Sequence, residues 1–147
     1  MTVVTTFKEK QREKQMDYER KVLREISLEV LRKKTKEFFG PQLSLKGRPI
    51  VEVEEGCIDL AIESFLLGAS YGKFGYLGEE VEKVKTRCYV EEKYLIDTLY
   101  DYFTYWGFIS ENEFESESFY YKCEMYIDYW WKEGFHKSLK RYRMRLH

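Results

Sequence analysis

Apolar positions along this chain recur every three or four residues rather than every second one, a period that predicts helices almost throughout. Thr6 with Glu9 three residues on has capping-box spacing, and Gly40-Pro41 is the next strong stop, so the first predicted helix runs from Phe7 to Gly40. Unbroken, it would be about 50 Å long. Ser27, ahead of Leu28 and Glu29, is an internal cap that leaves a kink or two separate helices open. Val22, Leu23, Ile26, Val30, Leu31 and Phe38 form an apolar stripe on the second half. Between Lys8 and Lys21 only Met16 and Tyr18 can pack, so residues 1–21 read as an arm that projects or awaits a partner.

Gln42 to Pro49 reads as a loop, broken by Gly47 and Pro49. A second helix is predicted from Val51 to Tyr71, with Val53, Cys57, Leu60, Ala61, Ser64, Phe65 and Gly68 inward. Glu55, Asp59 and Glu63 form an acidic ridge on the opposite face. Gly72, Gly75 and Gly78 are spaced for a turn. A third helix then keeps phase from Val81 to Trp106, with a break near Tyr89, and stops at Gly107. Ser110 and Glu113 again have capping-box spacing, but the acidic stretch to Glu117 favours a loop and a last helix from about Ser118, bent at Gly134. The prediction is an all-α, single-domain bundle of four or five helices over residues 1–147, with a long amino-terminal helix.

Composition narrows the class further. The chain has 147 residues, of which 44% are hydrophobic and 18% aromatic, with 13 Tyr, 10 Phe and 3 Trp, which excludes disorder as the main state. Its least polar stretch, Phe65 to Gly72, is far short of the roughly 20 apolar residues of a membrane span. Met1 to Thr6 lacks a basic start followed by an apolar run, so no secretory leader is expected. Cys57, Cys88 and Cys123 are odd in number and unpaired in spacing, which points to a reducing, cytoplasmic location.

The net charge of −1 conceals three blocks. Residues 1–49 carry 13 basic and 7 acidic side chains, residues 50–134 carry 7 and 19, and residues 135–147 carry 5 and none. In the plainer reading, the basic ends fold onto the acidic middle. In the sharper one, residues 135–147 are a basic amphipathic tail helix that binds an acidic protein, a phosphate backbone or an anionic surface. The candidate contact residues are Arg12, Arg20 and Lys21 at one end and Lys137, Lys140, Arg141, Arg143 and Arg145 at the other. Nucleic acid is the disfavoured partner, because the acidic middle repels phosphate.

Motifs of chemistry are sparse. Glu133-Gly-Phe-His136 has the E-x-x-H spacing of di-iron bundles, but such a site needs a second pair, and the chain has only His136 and His147. Glu52 with Glu55, and Asp97 with Asp101, have spacings that can hold Mg²⁺ for phosphate-ester hydrolysis. A solvated face explains most such pairs in a chain with 26 acids. Asp97 and Asp101 are the more interesting, because their aromatic neighbours could raise a carboxyl pKa by burial. No P-loop, G-x-S-x-G or G-x-G-x-x-G occurs, and the cysteines lie on apolar faces suited to inert packing.

The opening Thr5-Thr-Phe-Lys-Glu-Lys-Gln-Arg-Glu-Lys-Gln-Met-Asp-Tyr-Glu-Arg20, together with Leu66-Leu-Gly-Ala-Ser-Tyr-Gly72 and the aromatic run Tyr100 to Trp106, resembles a small family of uncharacterised soluble proteins of Bacillus-type bacteria. The resemblance implies a bacterial cytoplasmic setting and no chemistry. The sequence reading is therefore a non-enzymatic helical interaction module, adaptor or regulatory, whose partner is protein, either self or other. It needs no cofactor and no metal. An all-α Mg²⁺-dependent nucleotide or phosphate-ester hydrolase is the alternative, and nucleic-acid binding through the basic ends the second.

Overall fold

The computed structural model describes residues 3–24, 26–43, 50–108 and 112–144. They form seven helical segments: α1 (Val3–Leu23), α2 (Leu28–Leu43), α3 (Ile50–Ser70), α4 (Gly72–Tyr76), α5 (Val81–Arg87), α6 (Tyr89–Tyr105) and α7 (Glu113–Met144). No strand occurs among the described residues.

The predicted 33-residue first helix is two helices, and Ser27 is the reason. Its Oγ accepts the backbone N–H of Glu29 at 3.2 Å and of Val30 at 3.5 Å, capping α2 where α1 has ended. α2 runs through Pro41 to Leu43 rather than stopping at Gly40, and relieves the proline by a non-helical Phe39 (φ −121°, ψ 15°). Residues 44–49 of the predicted loop lie outside the described residues. The predicted third helix breaks at Cys88 into α5 and α6, and the glycine-spaced turn is instead the short helix α4. Positive φ at Gly78 (102°) and Gly107 (74°) ends the turn after α4 and the one after α6, where a side chain would be strained.

The longest element is α7, and it starts earlier than its sequence suggests. Asn112 Oδ1 accepts the N–H of Phe114 at 2.9 Å and of Glu115 at 3.4 Å, so the acidic stretch begins the helix, where its negative charge meets the positive end of the dipole. The alternative cap at Ser110 lies outside the described residues. α7 is not interrupted at Gly134 and continues to Met144. Residues 135–144 of the predicted basic tail are its last turns, with Phe135, Ser138 and Leu139 buried, and residues 145–147 lie outside the described residues.

α3 and α7 are the spine. They approach so closely that a Cβ on Gly68 would fall 1.9 Å from the Trp131 carbonyl oxygen, and one on Gly134 would fall 1.9 Å from that of Phe65. α2 and α6 close around them, and aromatic rings fill the space between. Phe39 lies 4.9 Å from Phe103 and 5.0 Å from Tyr126 by ring centroids, and Phe103 lies 4.8 Å from Phe119. Tyr126 is fully buried because its hydroxyl has somewhere to go: it donates to the Cys57 carbonyl at 2.9 Å. A smaller cluster of Val84, Cys88, Trp131, Phe135 and Leu139 fixes α5 to the second half of α7. α1 packs chiefly on α3 and leaves Phe7 and Met16 exposed.

Candidate functional site

Between α5, α6 and α7 lies an open groove of about 630 Å³. The break at Cys88 creates it: α5 turns away there, and α6 starts with Tyr89 on the groove wall. Ile96, Tyr120, Tyr121 and Met125 supply further apolar wall, while Lys85, Glu92, Lys93, Glu124 and Asp128 supply charge.

Lys85 forms the floor. Its side chain is only 15% exposed, and its ammonium donates to the buried Glu92 carboxylate, lies 2.6 Å from Asp128 Oδ1, and sits 4.7 Å above the Trp131 ring. Lys132 extends the cluster, reaching Asp128 at 3.1 Å and Glu82 at 3.3 Å. Burial pushes the Glu92 carboxyl above the ordinary carboxylate range, and Lys85 pulls it partly back. This cluster was not foreseen from the sequence. Asp128 to Lys132 has visible helical spacing, but which helix brings Lys85 to Asp128 depends on tertiary packing.

The carboxylates singled out from the sequence lie elsewhere. Glu52 and Glu55 are exposed near the start of α3, Asp101 is exposed on α6, and Asp97 is half-buried. The Asp97 pKa is lowered rather than raised, because Tyr120 donates to Oδ1 at 2.6 Å and Lys93 to Oδ2 at 3.1 Å, outweighing desolvation. Tyr120→Phe removes the larger of these effects, so the Asp97 pKa should rise toward 3.8, followed by carboxyl ¹³C NMR against pH. An unchanged titration would show that Lys93 alone holds it. Among the described residues no three His, Cys, Asp or Glu side chains gather as a metal site. His136 lies edge-on to Phe135 at 5.3 Å.

Of the basic candidates, Arg12 and Arg20 are exposed on α1, and Lys140 and Arg143 on α7. Lys137 and Arg141 are half-buried. The Lys21 side chain and residue 145 lie outside what is described. All three cysteines are free and buried, and desolvation pushes the Cys88 thiol up to about 11 and Cys123 up to about 12, so neither forms a ready thiolate.

The most distinctive surface is the first half of α6. Tyr89, Val90 and Tyr94 are 64%, 74% and 68% exposed, an unusual amount of apolar surface to leave in water on consecutive helical turns. On the α3 side of this ridge a second trough of about 450 Å³ is lined by Glu63, Leu67, Val90, Glu91, Tyr94 and Leu95. α6 thus stands as a ridge between two hollows. The aromatic surplus was legible from composition, but its location was not.

Residues 1–147 match the family model described as "Protein of unknown function (DUF2521)". An "Uncharacterized protein YbaK" of Bacillus subtilis (strain 168) is 31% identical over 146 residues, covering 99% of this chain and 99% of that protein. No solved structure matches. No helix among the described residues is long and apolar enough to cross a membrane.

Proposed function

The chain belongs to the DUF2521 family, and from that premise we propose that it is a non-enzymatic helical module that binds another protein through the α6 ridge and its flanking grooves. The observation that carries this reading is the exposure of Tyr89, Val90 and Tyr94 between two hollows. Tyrosine and methionine are enriched at the centres of protein interfaces, and Tyr121 and Met125 continue the apolar surface onto α7. A groove beside an exposed helix is also a common way to seat a partner helix. The acidic character of residues 50–134 weighs against phosphate backbones as the ligand.

The test is site-specific photocrosslinking in the native host, with p-benzoylphenylalanine at Tyr94 and, as control, at the exposed Asp59 on α3. A discrete adduct from Tyr94 that is absent from Asp59, and that disappears when Val90→Glu is added, is the expected result. Identical patterns at both positions, or no adduct at either, would overturn the proposal.

A further inference from the structure

We propose that the trough between α3 and α6 receives an apolar anchor from a partner helix whose flanking positions carry Lys or Arg. The inference rests on the docking reading above and adds the chemistry of the occupant.

Charge carries the argument. The trough is almost wholly apolar, with Leu67, Leu95, Val90 and Tyr94 around it, and its two charged residues are both acids, Glu63 from α3 and Glu91 from α6. No cation lines it. Both acids are exposed, and neither has an ion pair among the described residues. The basic residues flanking Glu91 along the chain are committed elsewhere. Arg87 is bonded to Glu79 and stacked 4.1 Å over Phe74, and Lys93 is bonded to Asp97. The α6/α7 groove differs, because its lysines are neutralised by its own carboxylates. An apolar cleft with an unanswered carboxylate on each wall selects an apolar side chain with a cation on either side.

Backbone chemistry gives the shape of the partner. Both walls are helices whose backbone groups are bonded internally, so they offer no edge to an extended peptide. An occupant that buries its backbone here must satisfy its own N–H and C=O groups, as a helix does. Nucleic acid and anionic lipid bring phosphate to two carboxylates and are repelled.

The experiment uses the full chain, methyl-labelled at Leu and Val, and two synthetic amphipathic helices sharing one Leu face, the polar face being Lys in one and Glu in the other. The Leu/Lys helix is expected to shift the Leu67, Val90 and Leu95 methyls. It should bind at least about tenfold more tightly than the Leu/Glu helix, the order of effect that two solvent-touching ion pairs and their reversal supply. Glu63→Lys with Glu91→Lys, both at exposed positions, should invert that preference while leaving the thermal midpoint unchanged.

Equal binding of the two helices would overturn the charge selection while leaving the docking reading in place. Shifts confined to other methyls would overturn the site. Trough shifts that grow with protein concentration and no peptide would make a second copy the occupant and overturn the proposal. If neither helix binds, the proposal falls. The Tyr94 crosslink then decides the wider reading: an adduct preserves docking, and its absence removes both.

Discussion

Replacing Gly134 by alanine is expected to cost the fold about 3 kcal/mol or more, although in an isolated helix the same change stabilises by about 1 kcal/mol. The sign reverses because of what the new methyl meets. An added Cβ would lie 1.9 Å from the Phe65 carbonyl oxygen and 2.8 Å from its carbon, and neither can rotate away as a flexible side chain can. The obstruction is reciprocal, since Gly68 stands in the same relation to the Trp131 carbonyl. Relief requires the α3 and α7 axes to separate. That opens the layer holding the fully buried Phe65 and Trp131, and cavity costs then add to the clash. Urea unfolding should show a lower midpoint with similar slope, and the melting temperature should fall by roughly 10 °C. Gly68→Ala should do the same, and the double variant should cost less than the sum, because one separation of the helices relieves both clashes. Gly40→Ala, with no atom within 4 Å of its added Cβ, should stay within about 1 kcal/mol of the parent. A parent-like midpoint for Gly134→Ala would refute the backbone-to-backbone contact.

That contrast marks the boundary of what was legible in advance. Helical period, the Ser27 cap and the break beside Tyr89 are local properties, and the chain states them in consecutive residues. At Gly134 local propensity sees only a weak helix former, whereas its close contact is set by a residue on another helix. The start of α7 was misplaced for a related reason: Glu113, Glu115 and Glu117 look like a solvated loop until Asn112 caps the turn and the dipole offsets their charge.

The site divides in the same way. Aromatic surplus and an acidic middle are compositional and were visible. Tyr94 and Tyr126 look alike on paper, yet one lies in water and the other has its hydroxyl bonded to Cys57 in the core. Telling them apart requires the facing helices. The Lys85 cluster was invisible for the same reason, since its partners come from α6 and α7.

Removing the Lys85 ammonium by Lys85→Met should therefore cost about 3 kcal/mol at neutral pH, because it leaves the buried Glu92 without its cation and Asp128 with only Lys132. Glu92→Gln alone should cost less, about 1–2 kcal/mol, since the amide still accepts a hydrogen bond from Lys85. The double variant Lys85→Met with Glu92→Gln should recover to within about 1 kcal/mol of the parent, a coupling that identifies uncompensated charge as the cause rather than lost packing on Trp131. The pH dependence follows from the direction of the Glu92 shift. Burial raises that carboxyl, and deleting Lys85 removes what opposed the rise. Between the ordinary value of 4.5 and the raised value in the fold, the native state keeps a proton that the unfolded chain has released, so stability falls as pH rises through this window. The gap between Lys85→Met and the parent should accordingly be widest near neutrality and close as pH is lowered toward 4.5, measured by denaturant unfolding at each pH. A gap independent of pH would mean that the loss is steric. Because Lys85 ties α5 to both α6 and α7, and Tyr89 opens α6 one residue beyond the Cys88 break, the single variant should also displace a wall of the groove. The double variant, folded and uncharged at that point, should restore the wall, so a partner that needs only its shape will bind the double variant and not the single one.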